Sequence, residues 1–253
     1  MIQSASRIVK ELDADLIEED GVPLESDWHR MAMNVLIESI CYRLRKRQDF
    51  YAGGNMFIYY DEEARGQASV GPDFFYVTGV TKEPVRGKWV VWRENDRFPE
   101  VIIELTSKTT RRADHTTKKD LYEQVFAAPD YYCYDPDKKK LEGWHLVDGH
   151  YQPLEPNEYG RLWSEQLGLW VGAWEGECFQ RVNTWLRFFD RKGHLVERGE
   201  EAERSLRTVE KRRAAKEKLR AEQEKQRADA AEKELALLRA KLAEQEKNGG
   251  RRT

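Results

Sequence analysis

Residues 101–136 read VIIELTSKTTRRADHTTKKDLYEQVFAAPDYYCYDP. The opening VIIEL is apolar almost throughout, as a central strand covered on both faces would be. Glu104 breaks that pattern, and a carboxylate buried without a partner costs several kcal/mol or neutralises itself. A helix is predicted from about Thr116 to Ala127, followed by a second strand from Tyr131 to Tyr134. Strand, basic turn, helix and strand make an α/β unit, so the rest of the chain is expected to add strands to a mixed sheet flanked by helices.

Upstream, Ser26 or Asp27 can cap a helix running to about Lys46, with Met33, Leu36, Ile37, Ile40, Cys41 and Leu44 on one apolar face. Residues 1–24 read as an irregular leading segment with room for a short strand. Aromatic and β-branched runs at Met56 to Tyr60, Phe74 to Thr78 and Trp89 to Trp92 are strand candidates. Gly53-Gly54, Gly71-Pro72, Pro84 and Gly87 separate them as turn formers. Downstream candidates are Leu141 to Val147, Tyr151 to Leu154, Leu169 to Val171 and part of Cys178 to Phe189.

The character changes after Gly193. The chain is 40% hydrophobic and 35% charged, too polar to be one compact domain throughout, and the excess charge collects after about residue 190. All eight tryptophans lie before that point, as in a folded β-rich domain. Residues from Leu195 to Lys247 have no aromatic, no proline and only Gly199 as glycine, and are rich in strong helix formers. Ala221, Glu224, Ala228, Ala231, Leu235, Leu238 and Leu242 follow a heptad spacing. The expected organisation is a domain over 1–192, a charged helical or coiled-coil tail over 193–247 and a disordered end over 248–253. The tail can serve as a self-association arm, giving a homodimer, or recruit another partner.

A net charge of −3 and a pI near 6.1 exclude a protein that coats nucleic acid nonspecifically, so contact with phosphates needs a local patch. Residues 107–119 supply one: Lys108, Arg111, Arg112, Lys118 and Lys119 against Asp114. A solvated loop is the plainer reading of the same charges. The three cysteines, Cys41, Cys133 and Cys178, show no ligand or disulfide spacing and are expected to be buried free thiols. No apolar run has the length of a membrane span, and the N-terminus lacks a signal-peptide core. A cytoplasmic protein is expected.

Gly71-Pro72-Asp73 places a second acid at the mouth of a strand. Asp73 and Glu104 converging from neighbouring strands would suit Mg²⁺ or Mn²⁺, hard cations that often take one or two carboxylates plus water and phosphate. Such an ion activates water and offsets charge on a phosphoryl group. Lys118, early on the following helix, can add a fixed cation. Lys119 points about 100° away round the helix. The plain alternatives are that Asp73 is a turn residue and that Glu104 makes a structural ion pair with Lys118. Asp114 and Ser107 read as turn-capping residues, Tyr122 as core, Glu38 as a solvated residue of the first helix, and His29 as structural.

GPDFFYV followed by VIIELTSKTTRRADHTTKKDLYEQVFAAPDYYCYDP resembles the Uma2 family (DUF820) of restriction endonucleases within the PD-(D/E)XK nuclease superfamily. The matching positions are Pro72-Asp73, Glu104 with Ser107, Asp114, Lys118, Tyr122 and Tyr131 to Asp135. GWHLVDGHYQPL…GRLWSEQLGLWV is similar to the family's closing hairpin region, so the likeness spans roughly residues 20–175. It implies a restriction-endonuclease-like fold with an αβββαβ core and metal-dependent cleavage of DNA. Asp73 and Glu104 would be the metal ligands and Lys118 the catalytic cation, with Lys108, Arg111, Arg112 and Lys119 as DNA contacts. Three departures stand out. Thr106 occupies the superfamily's usual lysine position, Asp130 stands in a glutamate position, and GPDFF replaces an alternating pattern. The rival expectation is a catalytically silent adaptor that keeps the fold and works through its helical tail. RNA or branched DNA is a further substrate class that nothing in the sequence excludes.

Overall fold

The structure, a computed structural model, describes residues 26–64 and 66–249, except the side chains of 229 and 242–249. The leading segment expected over 1–24 lies outside the described residues. The chain divides into two compact units, Met1–Gly199 and Glu200–Thr253.

In the first unit, helix α1 spans Asp27–Arg43, and the Ser26 side chain caps it by accepting from the His29 amide at 3.2 Å. The strands are β1 (Phe50–Gly53), β2 (Ile58–Tyr59), β3 (Ser69–Val70), β4 (Phe74–Thr78), β5 (Trp89–Val90), β6 (Val101–Leu105), β7 (Asp130–Asp135), β8 (Lys140–Val147), β9 (His150–Pro153), β10 (Leu162–Ser164), β11 (Leu169–Cys178) and β12 (Arg181–Phe189). Between β6 and β7 lie two short helices, α2 (Arg111–His115) and α3 (Thr117–Gln124).

Six strands form the main sheet in the order β1-β4-β6-β7-β8-β9. Strand β6 is antiparallel to β4 and parallel to β7, so the sheet is mixed. Parallel neighbours need a crossover, and α2 and α3 supply it. One face of the sheet, with Phe74, Tyr76, Val101, Ile103, Tyr132 and Tyr134, packs in a common core with Val35, Leu36 and Ile40 of α1 and with Val171, Trp185 and Phe188 of the β10-β11-β12 sheet. The other face, with Phe75, Ile102, Tyr131 and Cys133, packs with Tyr122 of α3 and with Ile58 and Trp89 of the small β3-β2-β5 sheet. Strand β6 is therefore buried on both faces at every residue, as VIIEL predicts.

Several expected elements differ in extent. The run Met56 to Tyr60 pairs only at Ile58–Tyr59, and Trp89 to Trp92 becomes β5 followed by a 3-10 turn over Val91–Arg93. The left-handed residues Asn95 and Asp96 continue that reversal, which returns the chain so that Trp89 Nε1 donates to the Arg97 carbonyl at 3.0 Å. The helix expected from about Thr116 to Ala127 is α3, Thr117–Gln124, and Thr116, whose φ of −127° and ψ of −93° are not helical, separates it from α2, a short helix that the sequence does not predict. Ala127, at φ 47°, lies just beyond α3. Cys41 is exposed, unlike buried Cys133 and Cys178: it faces off the apolar stripe of α1.

The second unit is helix α4, Gly199–Gly249. It runs through Asn248 and Gly249, and residues 250–253 lie outside the described residues. Among the described residues no helix is long and apolar enough to cross a membrane.

Candidate active site

The register Phe74↔Ile103, continued by one residue, puts Asp73 across from Glu104 at the mouth of β4. Alternation along the strands gives both acids the face that carries Phe75 and Ile102. Asp73 is fixed from two directions. Its Oδ2 accepts from the Leu105 amide at 2.7 Å, and its Oδ1 lies 2.7 Å from His29 Nε2 on α1. An ionised carboxylate only accepts, so Nε2 carries the proton in that bond.

Glu104 is 1% exposed. Tyr122 donates its hydroxyl to Oε1 at 2.8 Å, and Lys118 Nζ stands 3.1 Å from Oε2. The same ammonium lies 3.0 Å from Asp114 Oδ1, an ion pair off hydrogen-bond alignment, while buried Asp114 Oδ2 has no hydrogen-bond partner among the described residues. Asp114, Lys118 and Tyr122 recur every four residues, so they stand on one side of the chain even though Thr116 interrupts the helix.

Burial pushes the Glu104 carboxyl up. Lys118 pulls it back, Asp73 and Asp114 add to the rise, and the Tyr122 hydroxyl lowers it, leaving it at about 8. Burial acts on Lys118 in the direction of losing its proton, but Glu104, Asp114 and Asp73 outweigh it and hold the ammonium above its ordinary value. Burial, then the neighbouring Glu104, pushes the Tyr122 hydroxyl well above the usual phenol range. Three carboxyl groups thus face one lysine in a desolvated place; a proton held on Glu104 offsets the negative excess in metal-free protein, and a divalent cation would offset it in that proton's stead. Among the described residues no three His, Cys, Asp or Glu side chains form a metal-holding group. An ion at this place would take Asp73 and Glu104 from the protein and complete its shell with water or phosphate.

Asp73, Glu104 and Lys118, the three residues singled out from sequence, come together. Asp114, His29 and Tyr122 join them, although each reads from sequence as a capping, structural or core residue. The 114/118/122 spacing is the signal that could have drawn in Asp114; nothing local marks His29, which meets Asp73 across 44 residues. Ser107 keeps to its turn, where its amide donates to Thr110 Oγ1 at 3.0 Å and its Oγ lies 2.9 Å from Thr109 Oγ1. Glu38 pairs with Arg198 at 3.3 Å. Thr106 is buried, with its hydroxyl unpartnered among the described residues.

The basic residues spread over the neighbouring surface. Lys108 and Arg112 are exposed. Arg111 pairs with Asp135 at 2.5 Å, and Lys119 Nζ sits 4.5 Å from the Trp144 ring centre. Lys119 is thus turned away from Glu104, as its helical position requires. Arg111 and Arg112 line a cavity of about 270 Å³ with Cys133, Lys138 and Lys140, four basic side chains against the acids Asp135 and Glu142. Cys133 is the β7 partner of Glu104, so this basic hollow lies one strand from the carboxylates.

The mixed sheet with flanking helices, with one carboxylate at the mouth of β4 and another inside the neighbouring β6, defines an α/β protein with an acidic pair in its central sheet. The sequence profile of the Uma2 family, whose description is "Putative restriction endonuclease", matches residues 15–176. The chain belongs to the Uma2 family. Among solved structures it is similar to a protein of Anabaena variabilis described as a putative nuclease belonging to DUF820. The two share 12% identity over 59% of this chain and 81% of that one, with a TM-score of 0.44. No curated protein matches the chain.

Proposed function

We propose that the chain is a divalent-metal-dependent nuclease that hydrolyses phosphodiester bonds, with DNA as its substrate. The observation that carries this reading is Glu104, a carboxylate in the middle of a fully buried strand, with Asp73 opposite and Lys118 at 3.1 Å. Asp73 and Glu104 would hold Mg²⁺ or Mn²⁺, and an ion so held supplies Lewis acidity and an activated water. His29 and the Leu105 amide orient Asp73 so that its carboxylate stays aimed at the site. Lys118 keeps a fixed positive charge beside the acids, where a phosphoryl oxygen gaining charge is stabilised. Lys108, Arg112 and Lys119, with Arg111 held by Asp135, give the phosphate backbone a positively charged approach. Cys41, Cys133 and Cys178 form no disulfide among the described residues, which suits a reducing compartment, and we place the protein in the cytoplasm.

Plasmid nicking by the purified protein with Mg²⁺ or Mn²⁺ tests the reading. Asp73→Ala and Glu104→Ala are each expected to abolish it, while circular dichroism shows the fold retained. Activity left intact by both substitutions would refute the site. A second reading rests on the Glu104–Lys118 contact itself: the cluster is an internal ion-pair network in a catalytically silent adaptor. Calorimetric titration with Mn²⁺ separates the two. Binding that depends on Asp73 supports the nuclease, and no such binding selects the adaptor.

A further inference from the structure

Helix α4 keeps every described side chain from Glu203 to Lys241 exposed. Leu235 and Leu238 are about half exposed, at 50% and 55%. In the heptad register Ala228 and Leu235 take a positions, and Ala231 and Leu238 take d positions. Arg227 and Glu234 then fall at g, and Glu232 and Arg239 at e. In a parallel two-stranded coil each g residue faces the e residue five positions later on the other helix. Here those pairs are Arg227 with Glu232 and Glu234 with Arg239, both of opposite charge, and two-fold symmetry makes each occur twice.

We propose that residues 227–241 of α4 pair with the same segment of a second copy of this chain as a parallel, in-register coiled coil. The antiparallel alternative with the same core overlap is opposed by charge. It sets Glu232 and Glu234 against their own copies and Arg227 against Lys241. The seam also has an N-terminal limit. One heptad earlier, Arg220 at g would face Lys225 at e, and Glu224 at d would face its own copy, so pairing begins after Lys225. Two short layers of alanine and two of leucine bury little area, and the association is therefore reversible. This inference does not depend on the nuclease reading.

Sedimentation equilibrium of the full chain from roughly 1 µM to 1 mM, spanning the affinities expected of a short seam, is the test. The average mass should rise from 29.8 kDa towards twice that value. Glu234→Lys and Arg239→Glu, each of which replaces attraction by repulsion at two symmetric sites, should each weaken association roughly tenfold. The double charge swap Glu234→Lys/Arg239→Glu should restore it. Ala228→Cys in a Cys41→Ser background should form an intermolecular disulfide on mild oxidation, because a-position residues face each other only in the parallel register. A monomer at all concentrations, single swaps without effect, or a dimer in which the introduced thiols do not cross-link would overturn the proposal.

Discussion

At Glu104 two effects oppose each other. Burial favours the neutral acid, and Lys118 at 3.1 Å favours the carboxylate. Because the folded-state value is raised, to about 8 from an ordinary 4.5, the native protein binds a proton there that the unfolded chain releases. The contribution to stability is full below about pH 4.5 and is lost as pH rises towards 8. In metal-free protein, the melting temperature of wild type should fall relative to Glu104→Gln across that window. Thermal melts in chelator at pH 5, 6.5 and 8 check this, and parallel curves for the two proteins would contradict it. This residue was legible in the sequence for the same physical reason: a charge inside VIIEL needs compensation, so it stands out. Asp73 followed from its place directly after Gly71-Pro72, at the mouth of the Phe74 to Thr78 strand. His29 was not legible, because its partnership with Asp73 is made by packing α1 against the sheet and leaves no mark in local spacing. Asp114 matches the family pattern four residues before Lys118, but its place in the turn after β6 reads as a cap, and only packing shows that it reaches the lysine.

Among the elements, strands whose whole length is strongly patterned match their expected bounds: β4 and β6 fall where Phe74 to Thr78 and Val101 to Leu105 predict, whereas the ten-residue β11 is predicted only over Leu169 to Val171, because alternating Gly and Glu dilute its second half. The short strands β1 and β3 were missed because four- and two-residue pairings carry too little periodicity to rise above their flanking turns. Those short pieces nevertheless set the site. A Cβ on Gly54, just after β1, would lie 2.0 Å from the Asp73 carbonyl oxygen, whereas one on Gly53 would meet only the Tyr51 ring. Gly54→Ala should therefore cost about 2 kcal/mol by overpacking against backbone and weaken Mn²⁺ binding through Asp73. Gly53→Ala, opposed by a side chain that can swing aside, should do less in urea unfolding and in calorimetry. Asp130 shows the same logic at the start of β7. Fully buried, it accepts from Ser164 Oγ at 2.6 Å and the Gln166 amide at 3.2 Å, and lies 2.7 Å from His145 Nδ1. It joins β7 to β8 and to the β10 turn, so Asp130→Ala leaves several donors unpaired and should cost about 3 kcal/mol. Urea unfolding followed by tryptophan fluorescence measures that loss. A change under half that size would mean that water replaces the carboxylate.

For the whole molecule the two units draw their stability from different sources, and this has a measurable consequence. The first unit owns both faces of a buried sheet and all eight tryptophans, so it should unfold cooperatively at a temperature set by core packing. The described side chains of residues 203–241 are exposed, so the helicity of that stretch rests on propensity, on i,i+4 pairs such as Glu200–Arg204 at 2.8 Å, and on pairing with a second copy. Those sources are weak and one of them depends on concentration. Tryptophan fluorescence and far-ultraviolet circular dichroism should therefore give different transitions. Fluorescence should show one steep step independent of protein concentration. The dichroism signal should begin to fall at lower temperature, and the midpoint of that early loss should rise as concentration rises. A chain ending at residue 220 should keep the fluorescence step within a degree or two, since it loses no buried contact, and should lose the concentration-dependent phase. Coincident transitions by both probes in the full chain would mean that α4 melts as part of the first unit, and a lowered fluorescence midpoint in the shortened chain would mean that the tail supports the domain directly.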